Sequence, residues 1–342
     1  MKKLLFAGML LLAMSCSRHT EEMTNVIRVG ISSHALTKAT VEGTSDENKV
    51  NSLQVFIYKK SGDEFVFEAS ANAASGEVTV SVTGGEKKIV AVVNETGALP
   101  FQDGADAVMN AVNSLKENAP NSFLMAGVSS FTVTPTLRSV SVPVDRVAAR
   151  IRLVKITNSL TNGLEGKSMS LRRVYLTRVA SGSDFKGTPA SSDFYSLTGT
   201  GTLLDLNGTP VSSSEEKSAV GKLLLKSVSS ETISNGGSLE LDVPLYAYPN
   251  DGTVQKTRFV AELQIDGKFY TYPIEFETIQ GNCTYEIDEL RIRSIGNPSN
   301  GDDTIDDGED VPVDVETATF GIDVRPWEIK KVANGDDGKY TI

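Results

Sequence analysis

The 342-residue chain carries 44 Asp and Glu against 33 Lys and Arg, a formal net charge of -11. That balance opposes extended contact with nucleic-acid phosphates or anionic headgroups and directs its partners toward proteins or neutral surfaces. The two histidines, His19 and His34, lie before and just after the first predicted strand, so neither a Ser/His/Asp relay nor a histidine-based metal centre has the side chains it needs.

The first segment, MKKLLFAGMLLLAMSC, reads as an export signal. Lys2 and Lys3 form a cationic start, Leu4 to Met14 form an apolar run too short to span a bilayer, and Cys16 follows the small residue Ser15. Residues 1–16 are thus a lipoprotein signal ending at a lipidation cysteine, Cys16, whose acyl chains tether a soluble body to a membrane. Residues 17–24, rich in polar and charged side chains, are the tether. With Cys16 acylated, Cys283 has no intrachain disulfide partner, and the fold rests on its hydrophobic cores in an oxidising compartment. Within the predicted strand 283–287, Cys283 is core filler.

Alternation at period two dominates the next stretch. NVIRVGIS (25–32), LQVFIYKK (53–60), EFVFEA (64–69), EVTVSVTG (77–84) and KKIVAVVN (87–94) are half-buried strands separated by Gly, Asn, Asp and Ser. Residues 103–115 differ. Ala105, Val108, Met109, Val112 and Leu115 fall at helical spacing, with Asp103 as cap, which predicts a helix. SFTVTP and the long segment 139–157 return to strand, with Pro143, Asp145 and Arg146 marking a bend or a strand shared between domains. Segments 171–180, 221–229, 238–250, 257–265, 267–276 and 283–295 continue the pattern, while 180–190 and 212–218 read as exposed connections. Length and pattern predict an all-β protein of two β-sandwich domains, 25–150 and 151–342, with a short helix in the first.

No catalytic constellation stands out. Gly84-Gly85 and Gly236-Gly237 lack a phosphate-binding context and read as turns. The acidic run GDDTIDDGED (301–310) misses the spacing of a calcium loop, leaving a solvated, self-repelling tip as the stronger reading. Trp327 lies in an extended segment, where such a residue fills a core or an intersubunit groove. The expected protein is not an enzyme and needs no cofactor or metal.

Taken in order, these segments resemble the FimA-type fimbrillins, the lipoprotein-derived pilin subunits of Bacteroidales fimbriae. The likeness covers almost the whole chain. It rests on the lipobox, NVIRVGISSHALTKAT with NKVNSLQVFIYKKSG, IVAVVNETGAL, VDRVAARIRLVKI, GKFYTYPIEF, and GNCTYEIDELRIRSIG with the terminal FGIDVRPWEI. The resemblance implies two transthyretin-like Greek-key β-sandwich domains and passage through the lipoprotein export machinery to the outer membrane as a surface-exposed lipoprotein. A maturation protease of basic specificity then cuts the loop after the first strand, and a strand from a neighbouring subunit fills the groove left behind. The implied role is a structural subunit of surface fimbriae supporting adhesion or biofilm formation, with other fimbrial subunits as partners.

Carried onto this chain, the removable strand is 25–32, with Ile27, Val29 and Ile31 on one face and Arg28 and Gly30 on the other. The cleavage position falls between Lys38 and Ala39, where the family's arginine is a lysine. Arg28 is the second candidate, less accessible inside a strand. The donor tail is the carboxy-terminal end, with Phe320, Ile322, Val324, Trp327 and Ile329 as its apolar residues and Pro326 interrupting the alternation. Two alternatives stay open: a non-polymerising surface lipoprotein that binds host glycan or protein through its loops, and an anchor or tip subunit.

Overall fold

Side chains that alternate along an extended backbone put every second residue on one face, and such faces are stable only when buried against another layer. The computed structural model describes residues 25–32, 40–41 and 43–299 apart from 75, 138, 162, 191–192 and 229–230, together with 327–331 and 340–341. Its first half holds β1 (Asn25–Ser32), β2 (Thr40–Val41), β3 (Leu53–Ser61), β4 (Glu64–Ala73), β5 (Glu77–Val82) and β6 (Gly85–Val93). These are followed by α1 (Ala105–Met109), β7 (Val112–Ser114), β8 (Met125–Val133), β9 (Ser139–Pro143) and β10 (Asp145–Arg146).

Two sheets use most of these strands. One runs β5-β1-β9, with β1 antiparallel to β5 and parallel to β9; the other runs β10-β8-β6-β3-β4. Ile27 and Val29 of β1, Val80 and Val82 of β5, and Val142 of β9 share one core with Val55 and Ile57 of β3 and Ile89, Ala91 and Val93 of β6.

The helix expected over 103–115 is shorter than its spacing suggests. Only Ala105–Met109 is helical, Gly104 is its N-cap without a side-chain hydrogen bond, and Asn110 caps its end. Val112–Ser114 instead pairs with a strand at Gly182–Asp184, so tertiary pairing overrides the local period. Ala105, Val108, Met109 and Leu115 are buried as the pattern requires, but Val112 is 65% exposed.

The second half continues with β11 (Ala149–Asn158), β12 (Met169–Thr177), β13 (Val179–Ala180), β14 (Gly182–Asp184), β15 (Phe194–Leu197), β16 (Leu203–Leu204) and α2 (Ser214–Leu224). Then come β17 (Leu225–Ser227), β18 (Thr232–Ile233), β19 (Ser238–Ala247), β20 (Arg258–Ile265), β21 (Lys268–Glu275), β22 (Cys283–Ile287), β23 (Leu290–Ile292), β24 (Asn297–Ser299), β25 (Trp327–Lys331) and β26 (Tyr340–Thr341). α2 corrects the expectation that the helix content lies in the first half: residues 212–218 and 221–229 were predicted as loop and strand. The Ser213 hydroxyl accepts a hydrogen bond from Glu216 N at 3.2 Å, Glu215 and Glu216 occupy the first turn, and Val220, Leu223 and Leu224 are buried. Cap, acidic first turn and apolar stripe are all helix signals that the run of Leu residues obscures.

β11 is the centre of the sheet that receives the chain's end. It pairs antiparallel with β19 on one side and parallel with β22 and β23 on the other, and the order outward is β11-β22-β25-β2, with β26 beyond β23. A further sheet runs β17-β12-β20-β21-β24 with β18 also on β12. The described residues thus form an all-β protein of several sheets with two short helices. The long segment 139–157 is broken as its Pro143 and Asp145-Arg146 suggested, into β9, β10 and β11.

One close approach holds β9 in place. A Cβ on Gly127 of β8 would lie 1.8 Å from the Pro143 carbonyl oxygen, so β9 ends against β8 only because that position has no side chain. Gly127→Ala is expected to lower stability by about 1–3 kcal/mol, the usual cost of forcing extra volume into a packed site. Gly166→Ala, where the added atom meets nothing within 4 Å, serves as control, within about 0.5 kcal/mol of the parent. Equal urea midpoints for the two variants would show that the approach is not tight.

Candidate functional site

Among the described residues no group of three or more His, Cys, Asp or Glu is placed to hold a metal ion. The feature with functional consequence is the seat of β1. Its backbone pairs on both edges, from Asn25↔Val82 to Gly30↔Glu77 with β5 and from Arg28↔Ser139 to Ser32↔Pro143 with β9. Ile27 faces Val80 across the ladder, Val29 lies between Val78 and Val140, and Ile31 is opposite Val142. Ile27 and Val29 are 0% and 1% exposed, each worth about 1.5–3 kcal/mol on burial. Arg28 points outward, and its 3.9 Å ion pair with Glu77 joins two side chains each 65% exposed, which adds little. The side chain of Ile31 lies outside the described residues.

A strand in this position has a particular property. Were it to leave, β5 and β9 would each lose a row of backbone partners beside apolar side chains now in contact with Ile27 and Val29, leaving a groove that only another extended segment satisfies in full.

The wall formed by β5 is held independently of β1. Lys87 of β6 is 1% exposed and its Nζ lies 2.7 Å from Glu68 Oε2 of β4. Just past β5, the Thr83 N–H and hydroxyl donate to Glu68 Oε1 at 2.7 and 2.5 Å, and Lys87 Nζ donates to the Thr83 hydroxyl at 2.8 Å. Burial raises the Glu68 pKa, but Lys87 and Thr83 outweigh it and hold the carboxyl below its ordinary value. The bridge ties the end of β5 to the opposite sheet.

At the other end of the chain, Trp327–Lys331 (β25) is parallel to β22, from Cys283↔Glu328 to Glu286↔Lys331, and antiparallel to β2, with Thr40↔Glu328 and Val41↔Trp327. Trp327 and Ile329 of the predicted donor tail are therefore strand residues of the β11 sheet. Phe320, Ile322 and Val324 fall outside the described residues, as do Cys16, Lys38 and Ala39. The acidic run 301–310 does as well.

Nothing in the sequence singles out Glu47, which follows the loop after the first strand. Its carboxylate is 2% exposed and accepts hydrogen bonds from Arg150 Nη1 at 3.1 and 2.9 Å, the Tyr246 hydroxyl at 2.8 Å and the Thr44 N–H at 2.7 Å. Arg150 lies on β11 and Tyr246 on β19, and Arg150 Nε also donates to the Thr284 hydroxyl of β22 at 3.0 Å. Arg146 Nε donates to the Glu47 backbone oxygen at 3.1 Å and its Nη1 to Asn282 Oδ1 at 3.0 Å. Burial pulls the Arg146 guanidinium down to about 10, still charged at neutral pH. Alternation in VAARIRL puts Arg150 on the face opposite Ile151 and Leu153, so its burial is not announced by the pattern, and once buried its charge requires an anion from elsewhere in the chain.

Residues 26–143 match the family model described as the major fimbrial subunit protein FimA. The matched stretch opens on β1 and closes on the last residue of β9, so it contains the seat and both its walls. None of the curated proteins matches the chain. Among solved structures, a candidate cell adhesion protein from Bacteroides eggerthii DSM 20697 is 20% identical with a TM-score of 0.55, over 82% of this chain and 92% of that one. A second, from Parabacteroides distasonis ATCC 8503, is 15% identical with a TM-score of 0.53, over 83% and 96%. A fimbrilin from Porphyromonas gingivalis W83 is 13% identical with a TM-score of 0.50, over 81% and 91%. At these identities the likeness is one of fold.

Two outcomes follow from this geometry. Ile27→Ala should cost about 2–5 kcal/mol in urea unfolding and Arg28→Ala less than about 0.5; equal effects would mean that β1 is not held by its buried face. Burial raises the Glu47 pKa, but Arg150, Thr44 and Tyr246 together hold it below the ordinary carboxylate value. The unfolded chain therefore binds the proton first, and the stability from Glu47 is full above about pH 4.3 and lost as pH falls through the lower folded value. The urea midpoint should drop over that acid range in the parent and drop less in Glu47→Gln; identical acid limbs would remove Glu47 from the balance.

Proposed function

We propose that this chain, whose residues 26–143 match the model of the major fimbrial subunit protein FimA, is a structural subunit of a surface fimbrium that assembles by strand exchange. It works through polymerisation and contact at the outer membrane surface, not through catalysis. The observation that carries this reading is the seat of β1: a middle strand at the head of the matched region, paired on both edges and buried through Ile27 and Val29.

Export follows the lipoprotein route, with Cys16 as the acylated residue and 17–24 as tether. Maturation is a cut between Lys38 and Ala39 by a protease of basic specificity. Arg28 is a poor target because protease attack needs an extended, accessible backbone and that of Arg28 is already paired on both sides. Removal of β1 leaves the groove between β5 and β9, and the tail that includes Trp327 and Ile329 donates the strand that fills it in the next subunit. The contact is heterologous and head-to-tail, so repetition gives a filament. The body is read as two transthyretin-like Greek-key β-sandwich domains, 25–150 and 151–342, a division supported by the chain's passage through β10 into β11, where one set of sheets gives way to another.

Lys38→Ala is the direct test. Intact mass and amino-terminal analysis of surface material should find parent chains starting at Ala39 and the variant still full length from Cys16, without SDS-resistant ladders. Normal filaments from the variant would refute cleavage at Lys38, and parent chains that keep Cys16 while polymerising would refute removal of β1 as the assembly step.

A further inference from the structure

The two ends of the connection between β1 and β3 belong to different sheets. β1 sits between β5 and β9, whereas β2 forms the outer strand of the β11 sheet, on the edge of β25 away from β22. β25 is therefore paired with β22 from Glu328 to Lys331 on its inner edge and with β2 at Trp327 and Glu328 on its outer edge.

A two-residue strand is too short to hold itself against a sheet edge. What keeps the chain there is the turn that follows. Glu47 N donates to the Thr44 hydroxyl at 3.2 Å while Thr44 N donates to Glu47 Oε2 at 2.7 Å, a reciprocal pair that closes the turn. The same carboxylate is buried against Arg150 of β11 and Tyr246 of β19. An ionised carboxylate with these partners cannot be drawn out without leaving the Arg150 charge buried and uncompensated. Residues 44–48 are thus fixed to the sheet that carries β25 and not to the sheet that carries β1.

We propose that β2 and the turn 44–47 form a latch on the carboxy-terminal strand, anchored by Glu47, and that this latch, rather than β1, sets how readily β25 leaves its sheet. The inference rests on the fimbrial reading, in which the tail is the segment that must move. It adds that emptying the groove and freeing the donor are separate events. Losing β1 opens the groove, while β25 stays docked until β2 peels away, so a matured subunit does not offer its tail to its own groove or to another's before contact with a neighbour displaces the latch.

The test is hydrogen exchange of the full-length chain, comparing amides 327–331 with those of β3 and β6. Glu47→Gln should speed exchange of 327–331 by about tenfold or more and leave β3 and β6 unchanged. A double variant, Thr40→Pro with Val41→Pro, removes the β2 donors without touching the buried cluster and should give the same local effect; it decides the matter if Glu47→Gln unfolds the chain. Ile27→Ala, which loosens β1, should leave 327–331 protected. Unchanged exchange at 327–331 in the proline variant would overturn the latch, as would equal acceleration by Ile27→Ala. Filament growth scored on the same variants separates the two readings: no polymer from any processed chain counts against the fimbrial role, whereas the exchange result judges the latch alone.

Discussion

A strand in the middle of a sheet satisfies two rows of backbone groups at once, and only another extended segment can stand in for it. That constraint governs this molecule. β1 has β5 on one edge and β9 on the other, while its buried face lies in the core shared with β3 and β6. Its loss exposes donors, acceptors and apolar surface along one line, and the most economical remedy is another strand with the same alternation.

The neighbours of β1 are also held by contacts of their own. The Glu68, Thr83 and Lys87 bridge fixes the end of β5 to the opposing sheet, and Gly127 lets the end of β9 lie against β8. The Glu47, Arg150 and Tyr246 cluster does the corresponding work downstream, holding the chain after β1 to a different sheet. Buried ion pairs contribute little net stability compared with apolar packing, but losing one partner is costly, so they specify which segments stay together. Here they join segments by contacts that do not involve β1.

The two halves also meet through neutral polar contacts. The Tyr248 hydroxyl accepts from Asn118 Nδ2 at 2.6 Å and donates to Asn113 Oδ1, and β7 pairs with β14 across the same junction. Burial pushes the Tyr248 hydroxyl well above its ordinary value, so it remains a neutral donor throughout the working pH range. Together with Arg146 and Asn282, these contacts tie the first half of the chain to the second.

Much of this was legible in the sequence. β1 spans the predicted 25–32, Ile27 and Val29 face inward and Arg28 outward, and the breaks at Pro143 and Asp145-Arg146 fall where the residues suggested. Period-two alternation reports one buried face directly, because a strand's side chains answer only to the two sides of its own sheet. Three things were not legible. α1 stops at Met109 because 112–114 is taken by β14, α2 was hidden in a run of Leu residues, and Glu47 looked like a loop residue. The first and third depend on partners far away in the chain, about which local pattern carries no information, whereas the signals of α2 are local and were masked by the Leu run. The sequence by itself determined the long strands such as β1, β3, β6 and β20 and which face of β1 is apolar. Only the tertiary structure decided that β1 would be a middle strand, and that the residues following it would belong to the sheet holding the carboxy-terminal strand, since both are matters of long-range pairing and register.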